Sequence, residues 1–415
     1  MTVDGLGSMW NNEGSLRVGR YGAGSLSISA GGVVSVGSET VVDGISGSSA
    51  GIHFMEGTLT TGSLAAAPRN LTGSGAIHTH GLVSDVDLVF NATQGLTKTI
   101  HFDSLPGQDI SVHLNVDGTG LLGAGYSRSG SLTLADGVVV ESTNGYVGYL
   151  AGSTGLATVD GYGTAWNTNA TLDVGFFGSG TLLIHNGGTV SSSYGFIGRT
   201  AESIGRVSVD GDGSTLRTAA KLYVGSIGAG TLSITDGAIV TSYESYIGSD
   251  NSNSLVCRAT VDGKDSTWNN SDRLTVGYGG PATLSILRGG KVRIGSFLFI
   301  AISSENDRFI NMSTGGMLAL HGEAGASLSQ FLDLVRGSDD IRYWDATTSD
   351  WAHISQATPG VDYTLQYFDN YEGALSPEAN FLEHAAPEPS AVLLLLAGVL
   401  GAARVRPTRS TVLTR

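Results

Sequence analysis

The sequence predicts an all-β fold: a right-handed parallel β-helix, a C-terminal capping segment over its end, and a short C-terminal transmembrane helix. Three observations lead there. A unit of about fifty residues recurs along the chain, aliphatic residues within each unit alternate with period 2, and glycine is abundant. The 62 glycines in 415 residues are about twice the usual share, as many tight corners between short strands require.

The repeat is explicit. Thr158-Val159-Asp160-Gly161 recurs as Ser208-Val209-Asp210-Gly211 and Thr260-Val261-Asp262-Gly263, at offsets of 50 and 52 residues. A further copy, Thr2-Val3-Asp4-Gly5, lies 156 residues before the first, three steps of 52. Leu172-Asp173-Val174-Gly175 keeps the same step with Leu222-Tyr223-Val224-Gly225 and Leu274-Thr275-Val276-Gly277. Gly180-Thr181-Leu182-Leu183-Ile184 keeps it with Gly230-Thr231-Leu232-Ser233-Ile234 and Thr283-Leu284-Ser285-Ile286. Phe196-Ile197-Gly198, Tyr246-Ile247-Gly248 and Tyr146-Val147-Gly148 close the unit. Low complexity arising by chance would not hold several blocks in one register.

Each block reads as a strand of three or four residues with one face buried, as in Leu232-Ser233-Ile234. Links such as Gly228-Ala229-Gly230 and Asp236-Gly237 are expected to supply the positive φ of the corners. No helical stretch is expected before residue 300. A β-propeller blade has a similar length, but its antiparallel strands show longer alternation and hairpin turns. The short strands favour a β-helix with two coils of about 25 residues per repeat. Roughly twelve rungs over residues 1–300, at about 4.8 Å each, predict a rod near 60 Å long.

The phrases Val159-Asp160-Gly161-Tyr162-Gly163-Thr164-Ala165-Trp166-Asn167 and Val261-Asp262-Gly263-Lys264-Asp265-Ser266-Thr267-Trp268-Asn269 resemble the PEP-CTERM-associated repeat, which also occurs in autotransporter passenger domains. The copy at Asp210 departs by carrying Leu216-Arg217 in place of Trp-Asn, so the indole is replaceable. The resemblance covers residues 1–44 and 119–302. Residues 45–118 match poorly and read as decayed coils or an inserted loop-rich segment. Nothing after residue 302 offers the strands of an autotransporter's membrane barrel. The chain opens inside a repeat, with no export signal before Thr2; this predicts a truncated repeat or, preferentially, a true start further upstream.

Residues 303–385 differ in composition. Ser327–Val335 has the pattern of a short helix, and aromatic residues gather at Tyr343, Trp344, Trp351, Tyr363, Tyr367, Phe368 and Tyr371. An open β-helix end exposes unpaired strand edges, so the simplest role for this segment is a cap. The functional alternative is an aromatic platform for sugar rings.

Residues 386–410 carry Pro387-Glu388-Pro389, an uncharged apolar run from Ala391 to Ala403, and then Arg404, Arg406 and Arg409. As a helix the run would rise roughly 20 Å, short of a bilayer's roughly 30 Å hydrocarbon core. Arginines on one side only would hold that side in the cytoplasm. This order of parts resembles the PEP-CTERM sorting signal of exported bacterial proteins. The resemblance implies export, transient membrane anchoring, and processing by an exosortase-type protease.

Four of the 22 basic residues are arginines beyond residue 403, so residues 1–403 hold 18 basic against 37 acidic groups, a net of −19. Such a chain repels nucleic acid and anionic lipid surfaces. One cysteine, Cys257, excludes an internal disulfide and is expected as a buried small residue. Asp4, Asp160, Asp210 and Asp262 occur once per repeat before glycine. That periodicity marks corner residues, their carboxylates expected to bond backbone N–H groups, rather than catalytic groups. His78 and His80 share the i, i+2 spacing of one strand face, but two histidines without a third ligand point to surface residues rather than a metal site. No catalytic, cofactor-binding or metal-ligating residues are predicted, and no cofactor. The expected function is a non-enzymatic structural or adhesive protein of the bacterial envelope or extracellular matrix, with extracellular polysaccharide as a partner. The alternatives are a carbohydrate-binding surface protein and, third, a polysaccharide lyase or hydrolase.

Overall fold

A computed structural model describes residues 1–20, 22–43, 50–250, 255–301, 307–321, 333, 340–358, 362–368 and 391–395. Among them the chain is all-β and winds as a β-solenoid of about 12 turns. Each coil contributes three strand positions, which stack on those of the next coil as three columns. The coil beginning at Thr154 is representative, with strands Thr154–Asp160, Ala165–Thr168 and Thr171–Val174. From Asp87 onward the first column forms an 11-stranded sheet; the other columns and the opening coils belong to a 25-stranded one. Pairing between successive regular coils is parallel. Ser129, Thr154, Ser179, Ile204 and Ala229 follow one another in register at offsets of 25 residues. The predicted two coils per repeat are therefore present. First-column strands are longer than expected, seven residues in Ser179–His185.

The two sequence blocks of each repeat occupy one structural position. Val159, Ile184, Val209, Ile234, Val261 and Ile286 form a single inward ladder, as do Ala157, Leu182, Val207, Leu232, Ala259 and Leu284. All are buried in one continuous core. The difference between coils lies in the other two columns. Second-column core positions run Val140, Trp166, Val190, Leu216, Val240, Trp268, Val292. Third-column positions run Gly145, Leu172, Gly195, Leu222, Ser245, Leu274. Large pairs such as Trp166 with Leu172 thus alternate with small pairs such as Val190 with Gly195. A Cβ on Gly195 would lie 2.8 Å from Thr218 Cγ2 and 2.9 Å from Leu222 Cδ1. Size alternation at fixed core volume is the physical origin of the 50-residue period. The repeat's Leu216 is buried in the column that Trp166 and Trp268 fill, so the indole is replaced by an aliphatic side chain without a change of position.

Corners differ between the two coil types. One turns on a pair with both residues at positive φ, such as Asn186-Gly187 (+54°, +86°) and Asp236-Gly237 (+52°, +89°), the backbone of the tightest hairpin-like turn. Gly228 and Gly230 do not share this conformation, contrary to expectation. They are small because the chain passes close by: a Cβ on Gly230 would meet Gly225 N at 2.1 Å. A third corner ends each coil at Gly148, Gly175, Gly198, Gly225 or Gly248, all at positive φ. A Cβ at Gly198 would sit 2.2 Å from Ala229 O, at the start of the coil after next.

Residues 50–90 are regular coils rather than loops. Ala50–Ala66 pairs in parallel with both Gly24–Ser29 and Leu71–Thr79. The departure that blurs the repeat is an antiparallel hairpin, Thr97–Phe102 with Asp109–Asn115. Its second strand also pairs in parallel with Leu71–Thr79 and so fills a rung. Among the described residues before 300, one 3-10 turn, Pro68–Asn70, interrupts the strands. Cys257 is buried in the core, as expected of a small apolar residue.

After Arg308–Met312 the parallel stacking changes. Ile341–Asp345 still pairs in parallel, but Asp350–His353 returns antiparallel to it. Of the helix expected over Ser327–Val335, only Asp333 lies within the described residues. The C-terminal apolar run corrects another expectation. Ala391–Leu395 is not helical but a strand, antiparallel to Met317–His321 and to Thr364–Phe368. Short aliphatic runs satisfy either geometry, and an open sheet edge supplies the backbone partners that select a strand. No helix among the described residues is long and apolar enough to cross a membrane. Pro387, Glu388, Pro389, Arg404 and Arg406 lie outside the described residues.

Candidate functional site

The four recurring aspartates bond side chains rather than the backbone N–H groups expected. Each carboxylate reaches a side chain on the neighbouring coil. Asp4 Oδ1 accepts from Ser29 Oγ (2.6 Å), and Asp160 Oδ1 accepts from Asn186 Nδ2 (2.7 Å) beside His185 Nδ1 (2.9 Å). Asp210 Oδ1 accepts from Thr235 Oγ1, and Asp262 pairs with the Arg288 guanidinium. The corner itself is tied by the hydroxyl four residues on. Ser214 Oγ donates to Asp210 O (2.6 Å) and accepts from Gly187 N (3.0 Å). Ser266 repeats this with Asp262 O (2.7 Å) and Gly237 N (3.1 Å). Successive members of the series Asp160, Asp210 and Asp262 stand two coils apart, roughly 10 Å by rung spacing.

His78 and His80 also diverge. His78 stacks on His113 with ring centroids 4.8 Å apart, whereas His80 Nδ1 lies 2.7 Å from Asp117 Oδ2 beyond the strand end. Among the described residues no group of three or more His, Cys, Asp or Glu side chains is placed to hold a metal ion.

The surface feature that the sequence reading missed is an aromatic ladder on the outward face of the third column. One residue per coil projects there: Tyr146, Asp173, Phe196, Tyr223, Tyr246, Thr275 and Phe299. Phe196 and Tyr223 stack at 4.9 Å with ring planes 3° apart, and Tyr223 and Tyr246 at 5.2 Å and 13°. Lys221 Nζ and Tyr246 Oη both bond Glu244 Oε2, at 3.2 and 2.7 Å. The Tyr246 hydroxyl and then the Lys221 ammonium hold the Glu244 carboxyl below its ordinary pKa against its desolvation. A cavity of about 450 Å³ opens at the end of the ladder, walled by Tyr246, Arg273, Thr275, Tyr278, Phe297 and Phe299. The signal was present in the sequence: the aromatic residue of Phe196-Ile197-Gly198 precedes an inward aliphatic residue, and period 2 puts it outside.

Asp173 takes the ladder position between Tyr146 and Phe196, with its side chain wholly buried. Both of its oxygens accept from Arg199 Nη1, at 3.0 and 2.9 Å. The guanidinium lies 4.3 Å from the Phe196 ring centroid and 5.3 Å from that of Phe176. Burial pushes the Asp173 carboxyl up to about 6, opposed by the Arg199 charge. Phe176 continues into a cluster with Tyr126, Tyr146 and Tyr149, whose rings pack 4.9–5.5 Å apart.

A second exposed aromatic cluster lies in the C-terminal segment. Trp344 and Trp351 pack edge to face at 5.4 Å across the terminal hairpin, Trp344 remaining 45% exposed. With Asp262, Arg288, Ser313 and Thr314 they line another cavity of about 450 Å³.

Comparison with known protein families, curated proteins and solved structures finds no match to this chain.

Proposed function

We propose that the chain is a non-enzymatic structural or adhesive rod, exported to the bacterial envelope or the matrix outside it. The observation that carries this reading is the use of the repeat's polar residues. The corner aspartates and the Ser214 and Ser266 hydroxyls are engaged in bonds between coils, so the chemistry that recurs most often serves cohesion of the rod. A right-handed winding accords with the general hand of parallel crossovers. The sorting reading rests on the order of Pro387-Glu388-Pro389, the apolar run and Arg404, Arg406 and Arg409. In it, an exosortase-type protease cuts near the proline motif while the arginines hold the end of the chain on the cytoplasmic side. Intact-mass measurement of the product from a host with that machinery tests it. The expected product ends near Pro387–Pro389, and replacing both prolines blocks the cut. A secreted product that still carries Leu393–Leu396 regardless of the prolines would refute processing.

A second reading, a carbohydrate-binding surface protein, is favoured by the two aromatic-walled cavities. Tyr, Phe and Trp faces there meet polar groups at their edges, the combination that a sugar ring with apolar C–H faces and peripheral hydroxyls requires.

A further inference from the structure

The aromatic ladder has an unfilled step. Phe196, Tyr223 and Tyr246 stack face to face, each ring covering the next. The position after Tyr246 is Thr275, which carries no ring, and the position after that is Phe299. Two rung spacings, roughly 9–10 Å, therefore separate the backbone positions of Tyr246 and Phe299. The cavity of about 450 Å³ occupies that interval. It is open to solvent on the side of Tyr278, which is 68% exposed.

We propose that this vacant step binds one pyranose ring of a neutral glycan, inserted as the missing member of the stack. A ring midway in the interval would lie about one rung, ~4.8 Å, from each neighbour, close to the 4.9 and 5.2 Å steps of the ladder itself. Its axial C–H groups would face the aromatic surfaces. Its equatorial hydroxyls would meet polar groups at the cavity wall: the hydroxyls of Ser249 and Tyr278, and the Arg273 guanidinium, above a floor formed by the buried Thr275. Arg273 lies 5.6 Å from the Phe297 ring centroid and makes no ion pair among the described residues. Its donors are thus available to a ligand oxygen.

Among the described residues, Arg273 is the one charged residue of the cavity wall, and the acidic groups around it oppose a polyanion. The Arg273 field acts on Glu244, Asp272 adjoins it in sequence, and the whole chain carries a net −15. A polyanionic glycan would meet that surplus, whereas a neutral one needs only hydrogen bonds. The proposal deepens the carbohydrate-binding reading and locates it on the flank of the rod, away from Trp344 and Trp351.

The test is isothermal titration of the full chain with cellohexaose, maltohexaose, free glucose and a hexaglucuronate. At least one neutral hexasaccharide is expected to bind more tightly than the hexaglucuronate. Thr275→Tyr, which completes the ladder, should weaken that binding at least tenfold, as should Arg273→Gln; circular dichroism reports whether each variant is folded. If Thr275→Tyr does not fold, Arg273→Gln decides alone. Tighter binding of hexaglucuronate would overturn the neutral class. Binding that survives Thr275→Tyr and Arg273→Gln but is lost in Trp344→Ala would overturn this site and leave the carbohydrate reading standing. Absence of binding to every saccharide would overturn both.

Discussion

Asp173 shows how one side chain can be both polar and fully interior on an outward strand face. Folding raises its pKa to about 6, so the folded chain holds the proton more tightly than the unfolded one. Its contribution to stability is full below about pH 4 and is lost as pH rises through about 6. Arg199 limits that loss. Replacing Arg199 by Met is expected to cost about 3–5 kcal/mol at pH 7.5, because a buried carboxylate is left unpaired. The cost should be much smaller at pH 5, where the acid is largely protonated. Urea denaturation at the two pH values checks this; equal losses would mean that Arg199 acts by covering Phe176 and Phe196. The corner aspartates behave differently. Asp210→Asn keeps an acceptor for Thr235 and should change stability by about 1 kcal/mol, with glycan titration unaltered. A loss of binding in a fully folded Asp210→Asn variant would place that corner in a binding site. The periodicity that identified these four residues as corner residues was legible in the sequence. Their bonding partners were not, because a partner 25 residues away is adjacent only once the coils stack.

At the scale of the strand, the inward alternation of Leu232-Ser233-Ile234 was readable directly, since period 2 fixes which face is buried. Leu232→Ala should cost about 2–5 kcal/mol from lost transfer energy and the cavity left behind. Chemical denaturation measures it, and a loss below about 1 kcal/mol would contradict close packing at that layer. The alternation of large and small coils was visible only as a period of 50. Its cause, Gly145 and Gly195 making room for Trp166, Leu172 and Leu222, depends on which residues stack across coils. The aromatic ladder was missed for the same reason. Tyr223 and Phe196 were read as strand positions, while their stacking required the registry of neighbouring coils.

For the whole molecule, about 12 turns at about 4.8 Å per rung give a rod near 60 Å long. The two-coil period predicts an asymmetric response to deletion. Removing residues 179–228, two coils, sets a large coil beside a small one again and should leave a folded rod shortened by about 10 Å. Removing residues 179–203, one coil, sets Leu172 against Leu222 and Trp166 against Leu216. That overpacking should lower stability by about 1–3 kcal/mol relative to the two-coil deletion. Thermal melts with small-angle scattering compare the two, and equal stabilities would show that size alternation does not govern packing. The sequence by itself determined the repeat, the buried face of each strand, the glycine corners and the stacked-coil architecture, because these follow from local period and backbone sterics. It did not determine the conformation of Ala391–Leu395, an apolar run compatible with helix or strand; the open edge of the larger sheet decided that. Nor did it determine the ladder, the Asp173–Arg199 pair or the vacant step at Thr275. Those depend on distances between residues on neighbouring coils, which only stacking in register sets.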